Sequence, residues 1–309
     1  MQSPPLSHVV TSQNTFADSE TRSTPEALHR KLAQWTQKRL RPGFPELGWR
    51  VGLRQDAELA LVEGEFLEEA QGAIKSAAAD APLEPRAFIQ WFEALKVDGP
   101  GQGDPLFRWL AHDATLNQMR WFLRQEVAGE AGFDDLVALT QLRLPVRPKL
   151  ELARNYWDEM GRGRELAMHG PMLERLSHAL DLEPSMDGTV WESLALGNLL
   201  AGLAANRRYA YHALGALGAV ELTAPGRAER VNEGMLRLGI SKDARVYFAL
   251  HATMDVKHSE AWNQEVLEPL VRDDPRTAVP LAEGALMRLA AGALCFSRYR
   301  RELGLTGSG

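Results

Sequence analysis

Three residues that can bind a metal ion recur along one predicted helix in the last third of the chain. They are His251, Asp255 and His258. At about 100° per residue, Asp255 lies roughly 40° to one side of His251 and His258 roughly 20° to the other, so all three leave one helix face. Apolar neighbours such as Phe248 and Met254 indicate that this helix is buried, and buried histidines and acids need partners. The spacing therefore favours metal ligands over a polar surface stripe.

Further candidate ligands lie earlier in the chain. Glu159 and His169 flank the glycine-rich segment 161–163. A continuous helix would hold His169 about 80° away from Glu159, but the two glycines can break the register and let both residues converge. Glu126 lies among aromatic and aliphatic residues, and Glu221 closes an apolar run. Each of these two acids is either an inward ligand or an exposed group at a helix end.

The elements that must position these residues are helices. From Pro25 onward, apolar residues recur with the helical period and strand-like alternation is almost absent, which predicts an all-α fold. Short connections favour antiparallel neighbours in one bundle. We predict a disordered lead-in over residues 1–24 and a single helical domain over 25–309, with a metal-binding core at about 104–271. The predicted helices cover about residues 25–41, 55–79, 86–96, 104–129, 133–142, 147–160, 164–182, 187–206, 208–222, 226–238, 242–271 and 277–303.

Several predicted helix boundaries rest on single residues. Thr24 before Pro25 is typical of a helix start, and Asp187 and Ser241 are expected to cap the helices that follow them. The pair at 225–226, proline then glycine, is expected to end a helix. These boundaries fix which side chains share a face.

The composition excludes several kinds of site and partner. The single cysteine, Cys295, cannot form an internal disulfide or a thiolate cluster, so a metal site must use histidines and carboxylates. A net charge of -6 gives no basic field, and we predict neither a nucleic-acid nor a membrane partner. No apolar run approaches the ~18 residues of a membrane span, and no signal peptide is evident, which predicts a cytoplasmic protein.

The order and types of the candidate ligands resemble those of the haem-oxygenase-like diiron oxidases and oxygenases, often called iron-containing redox enzymes. The resemblance spans roughly residues 107–271. It implies a haem-oxygenase-like helical bundle that holds two iron ions and activates O2. The ligands that it implies are Glu126, Glu159, His169, Glu221, His251, Asp255 and His258.

The resemblance also divides these ligands between the two ions. It gives Glu126 as the bridge, Glu159, His169 and His258 as ligands of one iron, and Glu221, His251 and Asp255 as ligands of the other. The four carboxylates would cancel the charge of two ferrous ions, and carboxylates with imidazoles suit Fe(II) or Mn(II). Haem is less favoured, because the early histidines His29 and His112 do not explain the later group of ligands.

The resemblance implies an O2-dependent oxidation of a small-molecule substrate. The first hypothesis is N-oxygenation of a small amine or amino acid. The alternatives are oxidative C–C cleavage or desaturation of a fatty or amino acid, and a non-catalytic helical binding protein. No glycine-rich dinucleotide motif is evident, so we expect an external electron donor. The oligomeric state stays open, with a homodimer as one option.

The substrate pocket is expected to combine aromatic side chains with a cation. Arg207 or Arg208 is the candidate partner of a substrate carboxylate, against the alternative of a surface position. The aromatic side chains expected in the pocket wall are Trp121, Phe122, Tyr156, Tyr211 and Tyr247.

Overall fold

The structure is a computed structural model that describes residues 24–45, 47–130 and 132–305. Every regular element in these ranges is helical, which confirms the all-α prediction. The predicted disordered lead-in, apart from its last residue, lies outside the described residues. The α-helices are α1 (Pro25–Leu40), α2 (Trp49–Ala79), α3 (Pro85–Asp98), α4 (Pro105–His112), α5 (Leu116–Glu130), α6 (Phe133–Thr140), α7 (Val146–Glu159), α8 (His169–Ala179), α9 (Trp191–Ala205), α10 (Ala210–Arg237), α11 (Lys242–Trp262), α12 (Glu268–Asp273) and α13 (Ala278–Glu302).

The long helix α10 packs against α4, α11 and α13. Its crossing with α13 depends on two glycines. A Cβ atom at Gly215 would collide with the backbone carbonyl of Leu281, and one at Gly284 would collide with the carbonyl of His212. Only glycine permits such a close approach of two backbones. The crossing holds α10 firmly, and α10 in turn carries Glu221.

Two groups of buried apolar side chains form the core. The first lies mainly between α2, α3, α10, α12 and α13, and includes the fully buried Phe92 and Trp262. The second lies mainly between α4, α5, α8, α10, α11 and α13, and includes Phe122 and Tyr299. Burying a large apolar side chain contributes about 2 kcal/mol, so these groups hold the helices in fixed positions.

One helical stretch of the described chain, Pro275–Glu302, is long and apolar enough to cross a membrane by length and composition. The sequence had indicated no run of this kind. In its most apolar window 67% of the stretch is buried inside the bundle. The stretch contains α13, which packs against α2, α9 and α10. Core packing therefore accounts for its apolar character.

Two predicted caps are confirmed, and one helix break was missed. The hydroxyl of Thr24 accepts a hydrogen bond from the backbone of Ala27, and that of Ser241 accepts one from Ala244. The helix predicted over 104–129 is divided into α4 and α5. At the break, Thr115 and Gln118 bond each other's backbone N–H groups, which is the capping-box pattern.

The predicted helix end at Pro225 is wrong. α10 continues through this proline, which lies inside the helix and has no N–H to donate to the carbonyl of Glu221. Packing along the whole length of α10 outweighs the lost hydrogen bond. The connection predicted over 42–54 is also shorter than expected, because α2 already begins at Trp49.

Asp187 is not the cap of α9. The helix begins at Trp191, and the buried side chain of Gln125 on α5 caps it instead. The Gln125 amide oxygen accepts a hydrogen bond from the backbone of Val190 at 2.9 Å, and its amide nitrogen donates to the carbonyl of Gly188 at 3.0 Å. A cap supplied by a distant helix leaves no local sequence signal.

His29, on α1, is a buried histidine outside the candidate metal site. Its ring stacks on Trp191 at 5.6 Å between centroids and meets the edge of Phe66 at 4.8 Å. Its Nδ1 lies 3.4 Å from the amide nitrogen of Asn198, and burial lowers its pKa to about 4. The folded state therefore favours the neutral form of His29.

We predict that His29 makes the fold acid-sensitive. The unfolded chain binds a proton at His29 below pH ~6.5, whereas the folded chain resists protonation until about pH 4, so stability falls as the pH drops between these values. At about 1.4 kcal/mol for each pH unit between the two pKa values, the loss should be on the order of 3 kcal/mol. Urea unfolding of His29→Phe at several pH values should show a smaller loss over this interval. The exposed His178→Gln is the control, and an equal loss in His29→Phe would contradict the prediction.

Candidate metal centre

A left-handed turn after α7 brings Glu159 and His169 together. The φ angles of Gly161, Arg162 and Gly163 are +60°, +54° and +76°. A Cβ atom at Gly161 would collide with the backbone of Ala167, so this position requires glycine for space as well as for φ. α7 ends at Glu159 and α8 begins at His169, which confirms the register break expected from the glycines.

Glu159 belongs to a first group of three candidate ligands, with His169 and His251. Their ligand atoms lie within 4.8 Å of one another. Nδ1 of His169 contacts Oε2 of Glu159, and the rings of His169 and His251 are 4.5 Å apart. Nδ1 of His251 lies 2.8 Å from the carbonyl oxygen of Tyr247, which can only accept a hydrogen bond. His251 therefore carries its hydrogen on Nδ1 and has Nε2 available for a metal.

Glu159 also belongs to a second group, with Glu221 and His258, whose ligand atoms again lie within 4.8 Å of one another. Nδ1 of His258 is 3.6 Å from Oε2 of Glu221 and 4.0 Å from Oδ1 of Asp255. The buried amide of Asn155 donates to Oε1 of Glu221 at 2.6 Å. Asp255 thus lies beside this second group.

The two groups divide the histidines differently from the resemblance. His251 lies with Glu159 and His169, and His258 lies with Glu221, whereas the opposite division was expected. Contacts between helices give this division, because the His251 ring lies 4.5 Å from the His169 ring, whereas Nδ1 of His258 lies 3.6 Å from Oε2 of Glu221. Glu159 is common to both groups, so its carboxylate occupies the place of a bridge between them.

Two predicted ligands belong to neither group, namely Asp255, which lies beside the second group, and Glu126. Glu126 is half-buried on α5, and its Oε1 accepts a hydrogen bond from the hydroxyl of Tyr299 at 3.3 Å. The same hydroxyl is 2.8 Å from Oγ of Ser193. Glu126 nevertheless lines the same cavity as Glu159, Glu221 and Asp255, so its position as a further ligand stays a prediction.

Burial and nearby charges push the pKa values of two histidines apart. Burial lowers the pKa of His251 to about 4, and the neighbouring His169 ring acts in the same direction. Burial alone would also lower the pKa of His258, but its hydrogen bond to Glu221, the charge of Glu221 and the bond to Asp158 raise it to about 9. A proton on His258 therefore offsets part of the carboxylate charge, and a metal ion would displace it.

The donor chemistry of the two groups fits iron. In each group, buried carboxylate and imidazole atoms lie within 4.8 Å of one another, close enough to bind a single ion. Such oxygen and nitrogen atoms are the ligands that nonhaem Fe(II) and Mn(II) prefer. A buried cluster of like charges is unfavourable without a cation to balance it. The early histidines do not suggest haem, since His29 packs on Trp191 and His112 is exposed at the end of α4.

The comparison with protein families agrees with this chemistry. A family model described as "Iron-containing redox enzyme" matches residues 120–293. The chain belongs to this family. The matched range contains every predicted ligand from Glu126 to His258. This iron-containing redox enzyme family has the haem-oxygenase-like fold, so the predicted helical bundle is confirmed. No curated protein matches the sequence.

Two crystal structures share the fold of this iron-containing redox enzyme. Both are of a CADD-like protein of unknown function from Nostoc punctiforme, at 1.35 Å and 2.00 Å resolution. The first has a TM-score of 0.54 and 17% identity, and the alignment covers 71% of this chain and 95% of that chain. The second has a TM-score of 0.53 and 15% identity, with 79% and 99% covered. At this identity the likeness concerns the fold alone.

A cavity of about 570 Å³ adjoins the two ligand groups. Glu126, Glu159, Glu221, His251 and Asp255 form one part of its wall. Most of the remaining wall consists of apolar side chains from α1, α5, α9, α10, α11 and α13. The cavity can therefore hold a substrate with an apolar body next to the candidate metal ligands.

The aromatic lining was predicted incompletely. Of the five aromatic residues expected in the pocket, only Tyr247 lines the cavity. Phe122 lies fully buried in the second core group, and Tyr211 is exposed. The aromatic rings that line the cavity are Phe107, Phe133, Tyr247, Phe248, Phe296 and Tyr299.

The expected arginines are also replaced by others. Arg207 donates to the carbonyl of Thr140, and Arg208 pairs with Glu68 at the surface. Arg227 and the buried Arg288 line the cavity instead. Once α10 is continued through its proline, Arg227 lies seven residues after the cavity-lining Val220 and on the same face. A helix that ended at Pro225 would not place Arg227 on the face of Val220, so the sequence did not indicate Arg227 as a cavity residue.

We predict that the turn after α7 is required for the first ligand group. Gly161→Ala forces a side chain into the backbone of Ala167 at a left-handed φ, so the segment leading to His169 must move. We expect a loss of more than ~2 kcal/mol in stability and loss of iron from this group. Gly170→Ala is the matched control, because a Cβ there meets nothing within 4 Å and alanine favours the helix. Equal iron content in the two variants, measured by metal analysis, would contradict the prediction.

Proposed function

We propose that this protein is a nonhaem oxygenase that holds two iron ions and uses O2 to oxidise a small amine or amino acid by N-oxygenation. The observation that supports it is the position of Glu159, whose carboxylate belongs to both groups of candidate ligands. A carboxylate shared in this way is suited to two metal ions a few ångströms apart. Mn(II) in place of iron is compatible with the same donors.

The proposal assigns seven ligands. Glu159, His169 and His251 would hold one ion, and Glu159, Glu221 and His258 the other, with Asp255 beside His258 and Glu126 completing the site from α5. The four carboxylates balance the four positive charges of two ferrous ions. When bound, the ions supply the electrons that reduce O2. An external donor would restore those electrons after each turnover.

The protein's own residues have three tasks in this reaction. Apolar side chains such as Phe248 and Phe296 exclude water from the cavity, which strengthens electrostatic interactions within it. Arg227 and Arg288 offer guanidinium groups to a substrate carboxylate. The hydroxyl of Tyr299 holds Glu126 by a hydrogen bond at the cavity wall.

The apolar cavity also favours a second candidate reaction at the same site. Oxidative C–C cleavage or desaturation acts on an alkyl chain, and a cavity with this lining can hold one against the ligand groups. A carboxylate at the end of that chain could pair with either lining arginine. A substrate panel of amines, amino acids and fatty acids distinguishes the two reactions.

We predict that the iron content depends on Glu159 above all. Anaerobic loading with Fe(II) should give about two irons per chain, and Glu159→Gln should reduce this to well below one, because both groups lose a ligand. Asp255→Ala should remove mainly one iron. Glu151→Gln is the control, since Glu151 is a buried acid on the same helix that pairs with Arg154. A wild-type chain that binds no iron under these conditions would refute the proposed function.

We further predict that O2 consumption by the iron-loaded protein requires a substrate and a reductant. Mass spectrometry of the products then separates the candidate reactions. An oxygen atom added at nitrogen supports N-oxygenation, whereas an alkene, with or without a lost one-carbon fragment, supports desaturation or cleavage. O2 uptake that no member of the panel stimulates would count against both.

A further inference from the structure

Asp158 lies directly before Glu159 but faces a different neighbour. Its Oδ2 is 3.1 Å from Nε2 of His258, and its Oδ1 accepts a hydrogen bond from Nε of Arg162 at 2.6 Å. The Asp158 side chain is only 18% exposed. Asp158 belongs to neither ligand group, so its contact with His258 comes from outside the site.

The two nitrogens of His258 therefore have different surroundings. Nε2 faces the Asp158 carboxylate, whereas Nδ1 faces Glu221, Asp255 and the amide of Asn155. An ionised carboxylate only accepts hydrogen bonds, so Nε2 must carry the hydrogen in this contact. A metal ion bound at the second group would displace the hydrogen from Nδ1, and the lone pair left there would be available to that ion.

The same logic gives the opposite result for His251. Its Nδ1 donates to the carbonyl of Tyr247, which leaves Nε2 for a metal. Two histidines of one helix thus present different ring nitrogens. The helix backbone can fix the hydrogen of His251 on Nδ1, because the carbonyl four residues earlier lies nearby. Fixing the hydrogen of His258 on Nε2 requires a side chain from another element.

We infer that Asp158 is a positioning residue that fixes His258 with its hydrogen on Nε2 and its Nδ1 lone pair towards the metal. The inference rests on the proposed function in one respect, namely that His258 is a ligand. Carboxylates that accept from the outer nitrogen of a ligating histidine orient its ring and raise its basicity. One helix end thereby supplies both the shared ligand, Glu159, and the group that orients a second ligand.

The left-handed turn gives Asp158 its own support. Arg162 has a φ of +54°, and from this position its guanidinium returns to the Asp158 carboxylate. Arg162 is largely exposed, so the ion pair by itself contributes little to stability. The ion pair instead orients the Asp158 side chain. A guanidinium only donates hydrogen bonds, so the atom of residue 158 that faces Arg162 must be an oxygen.

This geometry makes Asp158→Asn an informative variant. Arg162 should hold the amide oxygen, which turns the amide NH₂ towards Nε2 of His258. Nε2 would then have to accept a hydrogen bond, and the hydrogen of the neutral ring would move to Nδ1, where it blocks the metal. We expect the affinity of one of the two metal sites for Fe(II), and for the diamagnetic probe Zn(II), to fall about 10- to 100-fold. The other site should change less than threefold.

Two further variants test whether the effect is one of orientation. Replacing Arg162 by Asn in the Asp158→Asn background frees the amide to rotate and should recover part of the affinity, because asparagine tolerates the left-handed φ. Glu151→Gln removes an acid of the same helix whose partner is Arg154, and should leave both affinities unchanged. Circular dichroism should show the same helix content in all variants.

Nitrogen-15 NMR of the Zn(II)-loaded wild-type protein reads the ring directly and should place the hydrogen of His258 on Nε2. The inference is overturned if that hydrogen is on Nδ1. It is also overturned if Asp158→Asn binds both ions as tightly as the wild type, if both sites weaken equally, or if the double variant recovers nothing. A wild-type chain that binds neither Fe(II) nor Zn(II) refutes the proposed function instead, so the two failures are distinguishable.

Discussion

Mutual repulsion among buried carboxylates is the constraint on which the rest of this structure depends. Glu159, Glu221 and Asp255 are almost completely buried and lie around the histidines of α8 and α11. In a low-dielectric interior such groups are stable only if protons or cations balance them. A proton on His258, whose pKa Glu221 and Asp158 raise, balances part of this negative charge. Metal ions would balance this negative charge more fully, because one ion contacts several carboxylate oxygens at once.

The scaffold holds these charges by bringing four helices to one place. Glu159 ends α7, His169 begins α8, Glu221 lies within α10, and His251, Asp255 and His258 lie on α11. Glycines set two of the distances, one at the turn after α7 and one at the crossing of α10 with α13. The helices cannot relax away from the repulsion, since the two apolar core groups fix them.

The cavity determines what the centre can act on. The candidate ligands form one part of its wall, and apolar side chains form most of the rest. Exclusion of water keeps electrostatic interactions strong near the reacting atoms. Arg227 and Arg288 line the cavity together with acids and apolar side chains, and the proposed substrate, with an anionic end and an apolar body, would meet both kinds of group. The family itself, iron-containing redox enzymes, agrees with an oxidation in such a space.

The sequence by itself determined the fold class, the family and the donor chemistry. Helical periodicity is a local property, and so is the spacing that places His251, Asp255 and His258 on one face. The glycines at 161 and 163 likewise predicted the turn that joins Glu159 to His169. A single cysteine was enough to limit the ligands to nitrogen and oxygen.

Only the tertiary structure decided how these residues pair. The grouping of His251 with Glu159 rather than with Glu221, the contact of Glu126 with Tyr299 and the cap that Gln125 gives α9 all join distant helices. Pro225 remains helical because packing along α10 outweighs a local preference, and this continuation places Arg227 in the cavity. Such outcomes depend on sums of many contacts between elements, whereas spacing along one helix depends only on the backbone.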